Sequence, residues 1–121
     1  MIDDLKQEFD AARIKHLHFK SKLRSFLYGS STAEAPIRNP QQCSFGQWIA
    51  QYLLARYAHL PESQQLDQVH DQIHQEANRL MDMVQRGQRD EAISGMAEIN
   101  QLADQIIRLL RTLEEKIRTG R

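Results

Sequence analysis

One cysteine and three histidines stand in this chain at spacings that suit a single metal ion. Cys43 opens the hexapeptide Cys43-Ser44-Phe45-Gly46-Gln47-Trp48, and His70 and His74 follow in His70-Asp71-Gln72-Ile73-His74. His16 lies upstream, inside a run of apolar residues that recur at helical spacing. One thiolate and three imidazoles are the ligand types and the number that a closed tetrahedral zinc site uses. Residues four apart are neighbours on a helix surface, so both imidazoles of the pair can reach one ion. Val69 and Ile73 beside them turn the pair toward a core, where imidazoles without partners would forfeit their hydrogen bonds. Each residue alone has a plainer role: a lone cysteine is commonly a small buried hydrophobe, and an inward histidine a hydrogen-bonded core residue. The joint pattern is what points to a metal.

Thiolate with imidazoles suits zinc best, with copper and iron as competitors, while magnesium and calcium want oxygen ligands. Cys43 falls just after a loop, near the expected start of a helix. Amides at a helix N-terminus and an adjacent cation both lower a thiol pKa, so a thiolate is physically reasonable there. A four-coordinate Cys-His-His-His site has no open position for substrate, which argues for structure or sensing and against an enzyme. The remaining two histidines are excluded. His18 is two residues from His16, about 200° round a helix, and His59 sits in a turn before Pro61.

Helices must bring these ligands together, and four can be counted. In the first, Ile2, Leu5, Phe9, Ala12, His16, Phe19, Leu23 and Phe26 step alternately by three and four, a sustained inward seam with one histidine in it. Gly29 is its stop. Ser30 to Gln42 holds Ser, Thr, Asn, Pro36 and Pro40 and reads as a loop. A short second helix is predicted from Cys43 to about Tyr57, with Phe45, Trp48, Ile49, Tyr52 and Leu53 on one face. A third runs from about Glu62 to Arg86, with Leu66, Val69, Ile73, Ala77, Leu80 and Val84 inward. The fourth spans about Arg89 to Arg118, with a seam of Ile99, Leu102, Ile106, Leu109 and Leu113. The expected fold is all-α: an antiparallel four-helix bundle of three long helices and one short one, with residues 1–121 as a single domain.

Sixteen basic and sixteen acidic residues cancel, so no overall field favours nucleic acid or an anionic membrane. The basic cluster from Lys15 to Arg24 alternates with apolar residues and reads as the solvated face of the first helix. No apolar run approaches the roughly 18–20 residues that cross a bilayer, and the acidic start Met1-Ile2-Asp3-Asp4 lacks the features of a signal peptide. A single cysteine cannot form an internal disulfide. The expected location is the cytoplasm.

The three segments His16-Leu17-His18-Phe19, Cys43 to Trp48 and His70 to His74 together resemble the chemoreceptor zinc-binding (CZB) domain. That family is marked by a histidine three residues before an aromatic, a Cys-x-Phe/Leu-Gly-x-Trp segment and a late His-x-x-x-His. The resemblance runs over essentially the whole chain. Phe19 stands where tryptophan is frequent, a mild departure. The resemblance implies a cytoplasmic bacterial regulatory domain that binds Zn2+ through His16, Cys43, His70 and His74. It further implies a helical-bundle homodimer that adjusts a chemoreceptor or diguanylate cyclase type of output. The implied inputs are zinc itself and oxidants such as hypochlorous acid acting on the cysteine.

The rival expectation is a metal-dependent enzyme or oxygen-binding bundle with a three-histidine open site, Cys43 lying elsewhere. Asp67 and Asp71 are near in sequence, but neither stands out as a general base. A di-iron centre needs carboxylate ligands from several helices. Asp67-Gln68-Val69-His70 is comparable, but the ligands are too few.

Overall fold

The computed structural model describes the backbone of residues 2–30 and 32–120, and the side chains of these apart from Ile2 and Asp3. The inward position predicted for Ile2, like Ser31 of the loop, lies outside the described residues. Helix α1 (Ile2–Leu27) is uninterrupted. Leu5, Phe9, Ala12, His16, Phe19 and Leu23 are buried along it, as their spacing predicts. At the C-terminal end the seam slips by one residue: Leu27 is fully buried, whereas Phe26 only packs against the core from its edge. Alternating steps of three and four average 3.5, and a straight helix turns every 3.6 residues, so the inward line drifts by about 20° per heptad. Gly29, at φ +93°, then closes the helix.

The segment expected to be a plain loop carries two helical turns, α2 (Ala35–Arg38) and a 3-10 turn (Pro40–Gln42). Its prolines start these turns. Pro36 falls in the first turn of α2 and Pro40 opens the 3-10 turn, positions where the missing amide proton would have had no partner. The second helix has the predicted extent but three parts: α3 (Ser44–Trp48), a π turn (Ile49–Leu53) and α4 (Leu54–Tyr57). Phe45, Trp48, Ile49 and Leu53 are buried along it and Tyr52 partly so. We call residues 44–57 the arm.

Helix α5 (Pro61–Gln85) buries Leu66, Val69, Ile73, Ala77 and Leu80; Val84 is only partly buried, and Met81 and Met83 take inward places instead. The expected fourth helix is divided at Gly95 into α6 (Arg89–Ser94) and α7 (Met96–Thr119). At that point α5 comes close, and a Cβ at residue 95 would overlap Leu80 Cδ2. In α7 Ile99, Leu102, Ile106 and Leu113 are buried as predicted. The place assigned to Leu109 belongs to Leu110, with Leu109 at the edge, by the same drift as in α1.

No strand occurs among the described residues. The elements form an all-α bundle in up-down-up-down order. Phe9 against Trp48 and His16 against Phe45 set the arm antiparallel to α1. Arg13–Glu114 (2.6 Å), with Leu5 and Ile117 lining one cleft, sets α7 antiparallel to α1, and Glu62–Lys116 (2.6 Å), with Leu80 beside Gly95, sets it antiparallel to α5. Helices α1 and α5 therefore run the same way on either side of the arm. No described helix is long and apolar enough to cross a membrane.

Candidate metal centre

Three elements deliver the predicted ligands into the middle of the bundle. His16 projects from α1, Cys43 is the residue immediately before α3, and His70 and His74 lie on successive turns of α5. All four are buried, with exposures of 1–3%. Among the described residues, Cys43, His70 and His74 offer ligand atoms that lie within 4.8 Å of one another. His16 is outside that tight group. Its ring stands 5.4 Å from that of Phe45, and it is near enough for its charge to oppose protonation of His70. Its Nε2 is buried without a hydrogen-bond partner. An imidazole nitrogen left so costs about 1–3 kcal/mol. A cation shared with the neighbouring group would satisfy it, and in this respect the residues fit the metal that their types suggest.

The histidine pair is oriented from outside. His74 Nδ1 lies 2.6 Å from the carbonyl oxygen of Ile37. A carbonyl can only accept, so Nδ1 carries the proton and Nε2 the lone pair. That Nε2 is 3.0 Å from His70 Nε2, whose N–H donates to it in the metal-free protein, so the two nitrogens already converge where an ion would take the place of the shared proton. A backbone oxygen on the far nitrogen of a ligating histidine sets its tautomer and basicity. Phe19, three residues after His16, packs against the His74 ring with centroids 4.5 Å apart. That contact gives the aromatic of the first motif a physical task.

All three imidazoles are kept neutral. Burial pushes the pKa of His16 down to about 4, with Lys20 adding to the effect. Burial, then His74 and His16, pushes that of His70 down to about 3. His74 is also lowered by burial, against the opposing pull of the Ile37 carbonyl and Asp71. Neutral imidazole is the metal-binding form. The cysteine depends on the cation. It stands at the cap position of α3, and the Gly46 and Phe45 amides and Lys22 all favour the thiolate, but burial outweighs them and raises the thiol pKa. Without a cation Cys43 is a thiol at neutral pH.

Gly46 of the cysteine segment has a steric reason. A Cβ there would overlap the Pro40 carbonyl oxygen and come within 2.7 Å of His70 Cε1. Only glycine lets the arm approach α5 this closely. Trp48 fixes the arm on its other side, donating from Nε1 to Glu8 Oε1 at 3.1 Å and meeting Phe9 edge to face. His18 and His59 are exposed, as predicted.

Sequence reasoning missed the Ile37 carbonyl and the residues that hold it: Arg38, Asn78 and Asp82. A backbone acceptor has no side-chain signature. Asn78 and Asp82, however, continue the four-residue step of His70 and His74, and that was the available signal. Asp67 and Asp71 line a cleft of about 290 Å³ that reaches His70. Burial and its neighbour Asp71 raise the pKa of Asp67.

The family model described as chemoreceptor zinc-binding domain matches residues 16–81, more than half of the chain and a span that holds all four candidate ligands. No curated protein and no solved structure matches the chain.

Proposed function

Since the chain belongs to the chemoreceptor zinc-binding domain family, we propose that it is a regulatory module whose His16, Cys43, His70 and His74 together hold one zinc ion. The observation that carries this is the convergence of Cys43, His70 and His74 beside the unpartnered Nε2 of His16. A closed set of four protein ligands leaves no place for substrate, which supports regulation over catalysis. The tight group contains the cysteine and only two histidines, and this speaks against the three-histidine open site. Bound zinc supplies the charge that holds the sulfur as thiolate, the nucleophilic and oxidisable form.

The chain's own residues divide the work. His70 and His74 are fixed on a long helix, and the Ile37 carbonyl orients His74. Cys43 stands at the head of the arm. Loss of the ion, or oxidation of the sulfur, would untie that head from α5 and let the arm repack. The input would be zinc, an oxidant, or both. The reader would be a chemoreceptor or diguanylate cyclase type of signalling protein, in the cytoplasm, with the module as a homodimer. A ligand shifts such an equilibrium only by its differential affinity for the two arrangements, and Cys43 supplies that difference.

The test is the metal content and competitive zinc affinity of the purified protein beside Cys43→Ala and His16→Ala. One zinc per chain, weakened at least about tenfold by either substitution, is the expected result. Equal affinity in Cys43→Ala would remove the cysteine from the site and return the open three-histidine centre. No zinc uptake by the reduced protein would leave a helical scaffold without a metal function.

A further inference from the structure

At steps of four along α5 stand His70, His74, Asn78 and Asp82, which places them on one strip of the helix. The first two face the metal centre, and the last two hold the segment that leads to Cys43. The Arg38 guanidinium donates to Asn78 Oδ1 at 3.1 Å and to Asp82 Oδ1 at 3.0 Å. Asn78 Nδ2 donates in return to the Arg38 carbonyl at 2.9 Å. Helix α2, four residues long, is far too short to persist on its own. These bonds and the fully buried Ile37 keep it in place. The carbonyl that His74 Nδ1 touches belongs to Ile37, the residue before Arg38.

We propose that Asn78, acting through Arg38, is a positioning residue for the metal centre. It holds the Ile37 carbonyl against His74, which commits the ring to the Nδ1–H tautomer and turns the Nε2 lone pair toward His70 and the place of the ion. The consequence for zinc rests on the function proposed above, whereas the tautomer is a property of the metal-free protein as well. Asp82 contributes much less. Its side chain is half exposed, and ion pairs in water are weak. The reciprocal pair of bonds between Asn78 and Arg38 carries the effect.

The experiment uses the full chain with Asn78→Leu, which keeps the volume and removes both hydrogen bonds, and Asn78→Asp, which keeps the acceptor and removes the donor. Asp82→Asn is the control. Zinc affinity is measured by competition, and the tautomer of His74 from its ring nitrogen shifts in metal-free protein. Removing the outer partner of a ligating histidine changes metal affinity about 10–100-fold. Asn78→Leu should therefore weaken zinc by about tenfold or more and shift His74 toward Nε2–H, with Asn78→Asp between it and the parent. Asp82→Asn should stay within about twofold. Unchanged affinity with an unchanged tautomer overturns the proposal. So does weakened affinity with an unchanged tautomer, because a merely structural role would produce that. Should the parent protein take up no zinc, the function proposed above fails, and the tautomer comparison still decides this one. Should Asn78→Leu not fold, Asn78→Asp decides it by the same readouts.

Discussion

A histidine that stays neutral inside a protein is ready for a cation and hostile to a proton, and the two properties can be measured separately. His16 and His70 have folded pKa values of about 4 and about 3 against an ordinary 6.5. Because the folded values are depressed, the unfolded chain takes up protons that the folded chain refuses. The stability this gives is fully present above about pH 6.5 and is lost as pH falls toward 4. In metal-free protein the two groups should together remove about 2–3 kcal/mol of stability per pH unit between pH 6 and 5, at about 1.4 kcal/mol per proton. Urea unfolding in chelator at those pH values checks it, and a flat profile would mean that the rings are solvated. The pair His70–His74 was legible because a spacing of four on a helix has one geometric meaning, and Cys43 because its hexapeptide is distinctive. The protonation state of the thiol was not legible. Helix amides and burial act on it in opposite directions, and only the packed structure decides which is larger.

The arm is the element on which the proposed switch depends, and besides its buried apolar face and the ligand at its head two features hold it. One is the close approach that Gly46 permits. The other is the bond from Trp48 to the Glu8 carboxylate on α1. Trp48→Phe keeps an aromatic ring in the stack and removes the donor. A hydrogen bond to a charged acceptor is worth about 1.5–3 kcal/mol, so amide exchange along residues 44–57 should quicken by about tenfold or more while that of α5 stays slow. Equal exchange in both proteins would show that stacking alone secures the arm. The extent of this helix was readable from its apolar face, but the π turn within it was not, since one widened turn leaves the pattern of buried residues almost unaltered. The same limit applies to the seam ends. A reading in strict threes and fours selected Phe26 and Leu109, where the straight helices bury Leu27 and Leu110. The turns at Ala35–Arg38 and Pro40–Gln42 were hidden for a different reason, because proline, which breaks a helix from inside, stands here in the first turn of each.

At the scale of the molecule the four proposed ligands tie together α1, the arm and α5, which otherwise meet mainly through apolar contact and the bond from Trp48 to Glu8. An ion that binds the folded chain and not the unfolded one adds stability by mass action, about 4 kcal/mol at a thousandfold excess over its dissociation constant. For a domain of this size that is about 10–20 °C in melting temperature. Calorimetry with saturating zinc and then with chelator should show a difference of that order, and Cys43→Ala should shrink it. Identical melting curves would mean that the centre contributes nothing to holding the bundle together. The bundle architecture itself followed from helix periodicity, because long amphipathic helices have few ways to bury their apolar faces. The alignment of α1 with α5 on either side of the arm follows from that order of helices, and it is what lets residues far apart in sequence face one ion.

Trp48 is the only tryptophan in the chain, and it lies five residues beyond Cys43, with Phe45, Phe9 and Tyr52 around its indole and 6% of its surface in water. The element proposed to move thus carries its own optical reporter. Departure of the arm would wet the indole and shift its emission to the red, so the state of the switch can be followed by light in the unlabelled protein, in real time and without any output protein attached.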